Sequence, residues 1–225
     1  MQDSLNLGYL FFVFALLSPV SYAETNITAL GEGGIENWSV ESFQGQTGYE
    51  VLPVQGIPSI RAISDGTASS LYIERPIDLQ ETPYLNWSWL TTQYLPQADE
   101  RSKSGDDYVA RIYLVIKGGL FGWGSKSICY LWSSSQHAGL NWDSPYVGSD
   151  LQLVSVRGQE DGLNQWYSEK QNVYQDFIRL FGDKGSEEAN LKAYGHVDVI
   201  AIMTDTDNGE SFAETYYRDL IFTAE

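Results

Sequence analysis

The chain has 225 residues, with 30 Asp and Glu against 13 Lys and Arg, a formal net charge of −17 at pH 7. That balance excludes nucleic acid, whose phosphates call for clustered Lys and Arg, and disfavours an anionic membrane surface; it suits divalent cations, neutral sugars or a basic partner, and solubility alone also accounts for it. Cys129 is the only cysteine, so no intramolecular disulfide forms, and two histidines with one cysteine do not make a zinc site.

The chain opens on an apolar run over 10–17, broken by Pro19 and followed by Ser21-Tyr22-Ala23, small residues where a signal peptidase reads. The run is shorter than the ~20 residues that cross a bilayer core. A cleavable signal peptide over 1–23 is expected, with cleavage after Ala23 and a soluble, periplasmic mature protein. The preceding segment departs from the pattern, having Asp3 and no Lys or Arg. The alternative is a buried apolar element at the start of the domain. No cysteine follows the apolar run to carry a lipid. Residues 24–225 suit a single domain.

Beyond it, short runs of β-branched and aromatic residues alternate with Gly, Pro, Asn, Asp and Ser clusters, the mark of an all-β sandwich or barrel. Strands are expected over 38–43, 49–53, 59–63, 68–73, 84–90, 107–116, 126–132, 152–156, 197–203 and 216–222. Alternation sets Leu85, Trp87 and Trp89 on one face. In the strand over 107–116 it sets Tyr108, Ala110, Ile112, Leu114 and Ile116 toward the core, with Asp107, Val109, Arg111 and Tyr113 opposite. Cys129 reads as a buried, unreactive thiol. One helix is expected over 169–181, where Val173, Phe177 and Leu180 recur at helical spacing and Gly182 can end it.

Three patterns could carry chemistry. Asp205-Thr206-Asp207-Asn208-Gly209 has oxygen side chains at alternating positions, like part of a calcium loop. The later bidentate Glu of a full EF-hand is missing, and an ordinary Asp/Asn/Gly turn is the favoured reading of the pattern. Asp205, Asp207 and Asn208 are the metal candidates, with structural calcium an open option and no other cofactor expected. In Asp106-Asp107-Tyr108-Val109-Ala110-Arg111, Arg111 offers a planar fork to a carboxylate or to sugar hydroxyls. It forms either the floor of a binding face or an internal ion pair with a carboxylate of the next strand. Trp166, Glu169, Asn172 and Asp176 suit capping and docking. The glycine-rich stretch over 118–124 lacks the Lys and helix of a phosphate loop. Trp123 and Trp142, among Gly, Asn and Asp neighbours, are the aromatics most suited to stack on a ligand. The ligand-facing candidates are therefore Arg111, Tyr113, Asp107, Trp123 and Trp142. No Gly-x-Ser-x-Gly elbow is present, and no carboxylate pair for glycoside hydrolysis can be selected.

Several blocks resemble one family of exported bacterial proteins, the domain of unknown function 3047 family. They are Trp38 with Phe43, Gly45, Thr47 and Tyr49; Ala68-Ser69-Ser70-Leu71; Leu85-Asn86-Trp87-Ser88-Trp89; and Asp106 through Tyr113. Tyr130-Leu131-Trp132, Asn172-Val173, Asp176-Phe177, Phe181-Gly182, Ile202 through Asn208, Tyr217 and Asp219 complete the set. The resemblance implies an all-β, jelly-roll-like (galactose-binding-like) antiparallel β-sandwich with one short packed helix, and carries no catalytic assignment. With no catalytic constellation apparent, the expected function is a non-catalytic periplasmic binding module for a saccharide or other polyhydroxylated ligand. The alternatives are a glycan-active enzyme using an unidentified carboxylate pair, or a structural or protein-interaction domain of the envelope.

Overall fold

The face that alternation gives to Leu85, Trp87 and Trp89 is a core face. Leu85, Trp87 and Trp89 are all fully buried, and each Trp meets another ring: Trp87 lies 5.3 Å from Tyr130 in a stacked pair and Trp89 lies 5.9 Å from Trp132. Such pairs add ~0.5–1.5 kcal/mol to the gain from burial. They join two sheets face to face. The computed structural model describes residues 23–29, 34–119 and 124–225. Residues 1–22 of the signal peptide expected over 1–23, and Trp123, fall outside them.

In chain order the strands are β1 (Glu24–Asn26), β2 (Ser39–Gln44), β3 (Gly48–Val54), β4 (Ile57–Asp65), β5 (Ala68–Asp78), β6 (Tyr84–Thr91), β7 (Tyr108–Ile116), β8 (Lys126–Trp132), β9 (Asn141–Ser144), β10 (Gly148–Arg157) and β11 (Tyr167–Asn172). Helices α1 (Val173–Phe181) and α2 (Glu187–Tyr194) follow, then β12 (His196–Asp205) and β13 (Phe212–Thr223). One sheet runs β11-β6-β13-β4-β3, with β1 paired to the far end of β13; the other runs β2-β5-β12-β7-β8-β10-β9. The result is a jelly-roll-like β-sandwich. All pairings are antiparallel except β8 with β10, a departure from the purely antiparallel sheet expected. No helix of the described residues is long and apolar enough to cross a membrane.

Two corrections concern the helical region. Residues 167–172, expected partly as helix, form an edge strand paired with β6, and Glu169 there accepts from Trp89 Nε1 at 3.1 Å and from Arg157 Nε at 2.6 Å. The helix starts only at Val173, where Asn172 caps it by accepting from the Gln175 N–H at 3.0 Å. Gly182 ends it with φ 90°, its N–H donating to Ile178 O. A second helix, α2, went unforeseen because only Asn190 and Tyr194 of it are buried. It is capped by Ser186 and packs on α1 through Tyr194, whose ring lies 6.1 Å from Phe177. Tyr130 donates to Asp176 at 2.7 Å, tying α1 to the seven-stranded sheet.

Candidate functional site

Three neighbouring strands of the seven-stranded sheet, β5, β12 and β7, turn alternate side chains outward. Their registers set these residues in rows across the sheet: Glu74–Val199–Val115, Tyr72–Ala201–Tyr113 and Ser70–Met203–Arg111. The middle row has two half-buried tyrosines on either side of an alanine. The rows floor a concavity of about 730 Å³, within the ~300–1,000 Å³ common for ligand clefts. Glu41 and Phe43 of β2 border it on one edge, and Ser144, Tyr146, Val147 and Leu151 border it near β9 and β10. Phe43 is 68% exposed and Tyr146 54%, both large rings left open to solvent.

A β-bulge shapes one end of this floor. Met203 pairs with Arg111 but Asp205 pairs with Tyr108, so two residues of β7, Val109 and Ala110, oppose the single Thr204. Both bulged residues are buried in the inner core. Val109 was expected on the outer face and lies in the inner core instead, while Tyr108, expected in the core, is buried, but in a small second core on the outer side of the sheet. Thr204 and Thr215 hold the bulge, their hydroxyls donating to Val109 O at 2.9 and 2.7 Å. Tyr108 and Arg111 therefore emerge on the same outer side, and the guanidinium lies 4.2 Å from the Tyr108 ring centroid.

Arg111 forms the internal ion pair that was one of its two expected roles. Its Nη2 donates to Asp205 Oδ2 and to Asp106 O, and its Nη1 donates to Asp106 Oδ2 at 3.4 Å and to the Tyr113 hydroxyl at 2.8 Å. Only 4% of the side chain is exposed. Burial works against the cation, but the charges of Asp205 and Asp106 outweigh it and hold Arg111 protonated. Burial likewise pushes Tyr113 well above the ordinary phenol range against the opposing pull of Arg111, so the phenol is neutral. Its oxygen accepts from Arg111, and its hydroxyl reaches the Cys129 sulfur opposite it on β8.

Beyond the bulge the floor ends in carboxylates. Asp106, Asp205, Asp207 and Asn208 line this end, and carboxylate oxygens of Asp107, Asp205 and Asp207 all lie within 4.8 Å of one another. Asp107 is buried and anchors the turn after β12, accepting from Asn208 N at 3.1 Å and Gly209 N at 2.7 Å. Gly209 suits that close approach, since a Cβ there would sit 3.2 Å from Asp107 Oδ2. Burial raises Asp205 well above the ordinary carboxylate range, against the pull of Arg111; burial and the neighbouring Asp107 charge raise Asp207.

The remaining expectations fall elsewhere. Trp142 is 7% exposed and does not reach the concavity; it packs with Tyr108, Cys129, Leu131 and Leu153 in a small second core. Its polar neighbours Asn141 and Asp143 misled because β9 alternates, exposing them and turning the indole inward. Asn208 offers its backbone N–H to Asp107 and its side-chain amide to Asp207. Cys129 is buried, and burial pushes its thiol up. The contributions of Phe43, Tyr72, Tyr146 and Ala201 were missed. Strand alternation placed such residues on faces, but only the pairing of β5 with β12 and β12 with β7 brings those faces together.

Residues 36–221 match the family described as "Protein of unknown function (DUF3047)". The sequence has no match among curated proteins. Solved structures similar in fold include the family 11 carbohydrate-binding module of a cellulosomal cellulase of Clostridium thermocellum, at 8% identity over 90% of this chain and 95% of that one, TM-score 0.45. The module from that organism in complex with a β-1,3-1,4-mixed-linked tetrasaccharide gives 9%, 90%, 96% and 0.46. Endoglucanase 3 of Trichoderma harzianum gives 10%, 92%, 98% and 0.43. At these identities the likeness is one of fold.

Proposed function

The chain belongs to the DUF3047 family, which comes without an assigned activity, and on that premise we propose that it is an exported, non-catalytic binding module that holds a neutral saccharide in the groove of its seven-stranded sheet. The observation that carries this reading is the middle row of the floor, Tyr72–Ala201–Tyr113. Two aromatic side chains flank a small residue, leaving room between them, and aromatic faces and hydroxyls are what a sugar ring with its apolar face and polar rim requires. Phe43 and Tyr146 offer further rings at the edges.

Charge narrows the ligand. Among the described residues, Glu41, Glu74, Asp106, Asp205 and Asp207 line the groove against Arg111, with Lys117 paired to Glu74 beside it, so an anionic sugar would meet net repulsion. Arg111, spent on Asp205 and Asp106, serves as a positioning residue: by donating to Tyr113 it fixes the phenol in the floor of the groove. Export to the periplasm is part of the same proposal. It is supported by the apolar N-terminal run and by the first strand starting at Glu24, directly after the expected cleavage point.

Calorimetric titration with neutral oligosaccharides from envelope polysaccharides tests the reading. Saturable binding that Tyr72→Ala weakens at least tenfold, with the fold intact, is the expected result. An absence of heat across a neutral panel would overturn it. Release of reducing ends during the same incubations would replace it with a glycan-active enzyme.

A further inference from the structure

We infer that Asp107, Asp205 and Asp207 form a divalent cation site of the calcium or magnesium class at the bulged end of the groove. The three carboxylates come from two segments far apart in sequence, the entry to β7 and the exit of β12, and they bring oxygens within 4.8 Å of one another. Separations of that size allow one ion to be shared with little movement, since calcium takes oxygens at ~2.3–2.6 Å. The turn bearing Asp207 is held in register by the Asp107 carboxylate through the N–H groups of Asn208 and Gly209.

A separate observation points to a missing ligand. The Asp205 side chain is 3% exposed. Its Oδ2 is held by Arg111, but its Oδ1 has no hydrogen-bond partner among the described residues. A buried carboxyl oxygen left without a partner is destabilising, and a cation shared with Asp107 and Asp207 supplies that partner. Among the described residues, no Lys or Arg forms an ion pair with Asp107 or Asp207 either; the one guanidinium present is divided between Asp106 and Asp205.

The donor set selects the ion. All three donors are hard oxygens, and no His nitrogen or Cys sulfur belongs to the cluster, which favours calcium or magnesium over zinc or copper. Three carboxylates leave coordination positions over for water. Because Asp205 and Asp207 also line the groove, a saccharide hydroxyl can take one of them, but occupancy of the site does not depend on the saccharide.

The test is calorimetric titration of the chelator-stripped, dialysed full chain with CaCl2 and, separately, MgCl2, with no saccharide present. One saturable event near one ion per chain is expected, with Kd in the ~10⁻⁴–10⁻³ M range of extracellular modules. Asp207→Asn is the informative variant, because Asp207 is half-buried and, among the described residues, the one side-chain partner of its carboxylate is the Asn208 amide, at 3.4 Å. It should keep the thermal midpoint of the stripped protein and bind the ion at least tenfold more weakly. No saturable heat with either salt up to about 10 mM, ten times the weak end of that range, would overturn the site, as would unchanged affinity in Asp207→Asn. Loss of cation binding with saccharide binding intact would sink this inference and leave the saccharide reading standing.

Discussion

The two outer faces of the sandwich are built from the same kind of strand and differ in how their polar groups are spent. On the six-stranded sheet most of them satisfy one another, although Arg218 Nε and Nη1 and Trp166 Nε1 are buried without a hydrogen-bond partner among the described residues. Arg61 lies between Glu50 at 2.7 Å and Glu214 at 2.6 Å, Tyr216 donates to Glu214 at 2.6 Å, and Ser88 meets Ser168 at 2.9 Å. Nearby, the Arg218 guanidinium covers the Trp166 ring at 3.8 Å. On the seven-stranded sheet a concavity lies open, with exposed rings at its edges and a buried carboxylate oxygen unpartnered at its end. A face whose groups are already paired has little to offer a ligand; a face with unspent groups in a hollow is where binding gains most.

The largest effect that would sharpen this contrast concerns stability. Asp205→Ala should cost ~3–5 kcal/mol, since it strands the buried Arg111, whereas Arg61→Ala on the opposite face should cost ~0–1 kcal/mol. Urea denaturation with chelator present measures both. Equal losses would mean that the two ion-pair systems are equivalent and the contrast is wrong. Next in size is Ala201→Leu. The added side chain enters the hollow between Tyr72 and Tyr113, so saccharide titration should lose all measurable heat while the unfolding midpoint moves little. Binding retained at wild-type affinity would move the ligand off the floor. Smaller again is Phe43→Ala, which removes an exposed ring at the edge. About a tenfold weaker affinity, ~1.4 kcal/mol, is expected with stability within ~0.5 kcal/mol, and Tyr216→Phe on the other face should leave affinity unchanged.

Which of these residues could be found beforehand follows from what alternation can see. It placed Arg111 and Tyr113 together on the outer face of β7 and Trp87 and Trp89 in the core, because those relations lie within one strand. It could not see that β12 runs between β5 and β7, and hence that Tyr72 and Ala201 complete the row with Tyr113. It failed at the bulge, where one extra residue reverses the faces of Tyr108 and Val109. The blocks holding Asp106 and Asp107, and Asp205 and Asp207, both stood out as chemistry, and the turn and metal readings of the second competed there. Their convergence depends on the β7–β12 pairing, which no local pattern records. Trp142 shows the opposite failure: polar neighbours suggested a loop, while a four-residue strand turned the indole into a small core. Residues 167–172 carry no strong period, and pairing with β6 decided for a strand.

The smallest expected effect is one of pH, and its sign separates the paired face from a buried end of the sandwich. Glu214 is partly desolvated, which alone would raise its pKa, but hydrogen bonds from Tyr216 and Arg61 outweigh that and hold the carboxyl below its ordinary range. A depressed folded-state pKa gives stability that is present above the unfolded-state value, ~4.3 for Glu, and lost as pH falls through the folded one. Glu100 is the reverse. Burial raises it, although the Ser133 hydroxyl and the Ser134 and Ser135 N–H groups pull it down. Its contribution is full below the unfolded value and is lost as pH rises through the folded one. Glu214→Gln should therefore flatten the acid limb of stability below about pH 4.3, by a few tenths of a kcal/mol for a partly exposed pair. Thermal melts from pH 3 to 7 read this directly, run on the chelated protein so that the carboxylates at the groove end do not bind metal during the series. An acid limb in Glu214→Gln as steep as that of the parent would show that the paired face adds nothing to acid sensitivity, and that the contrast between the faces is one of geometry alone.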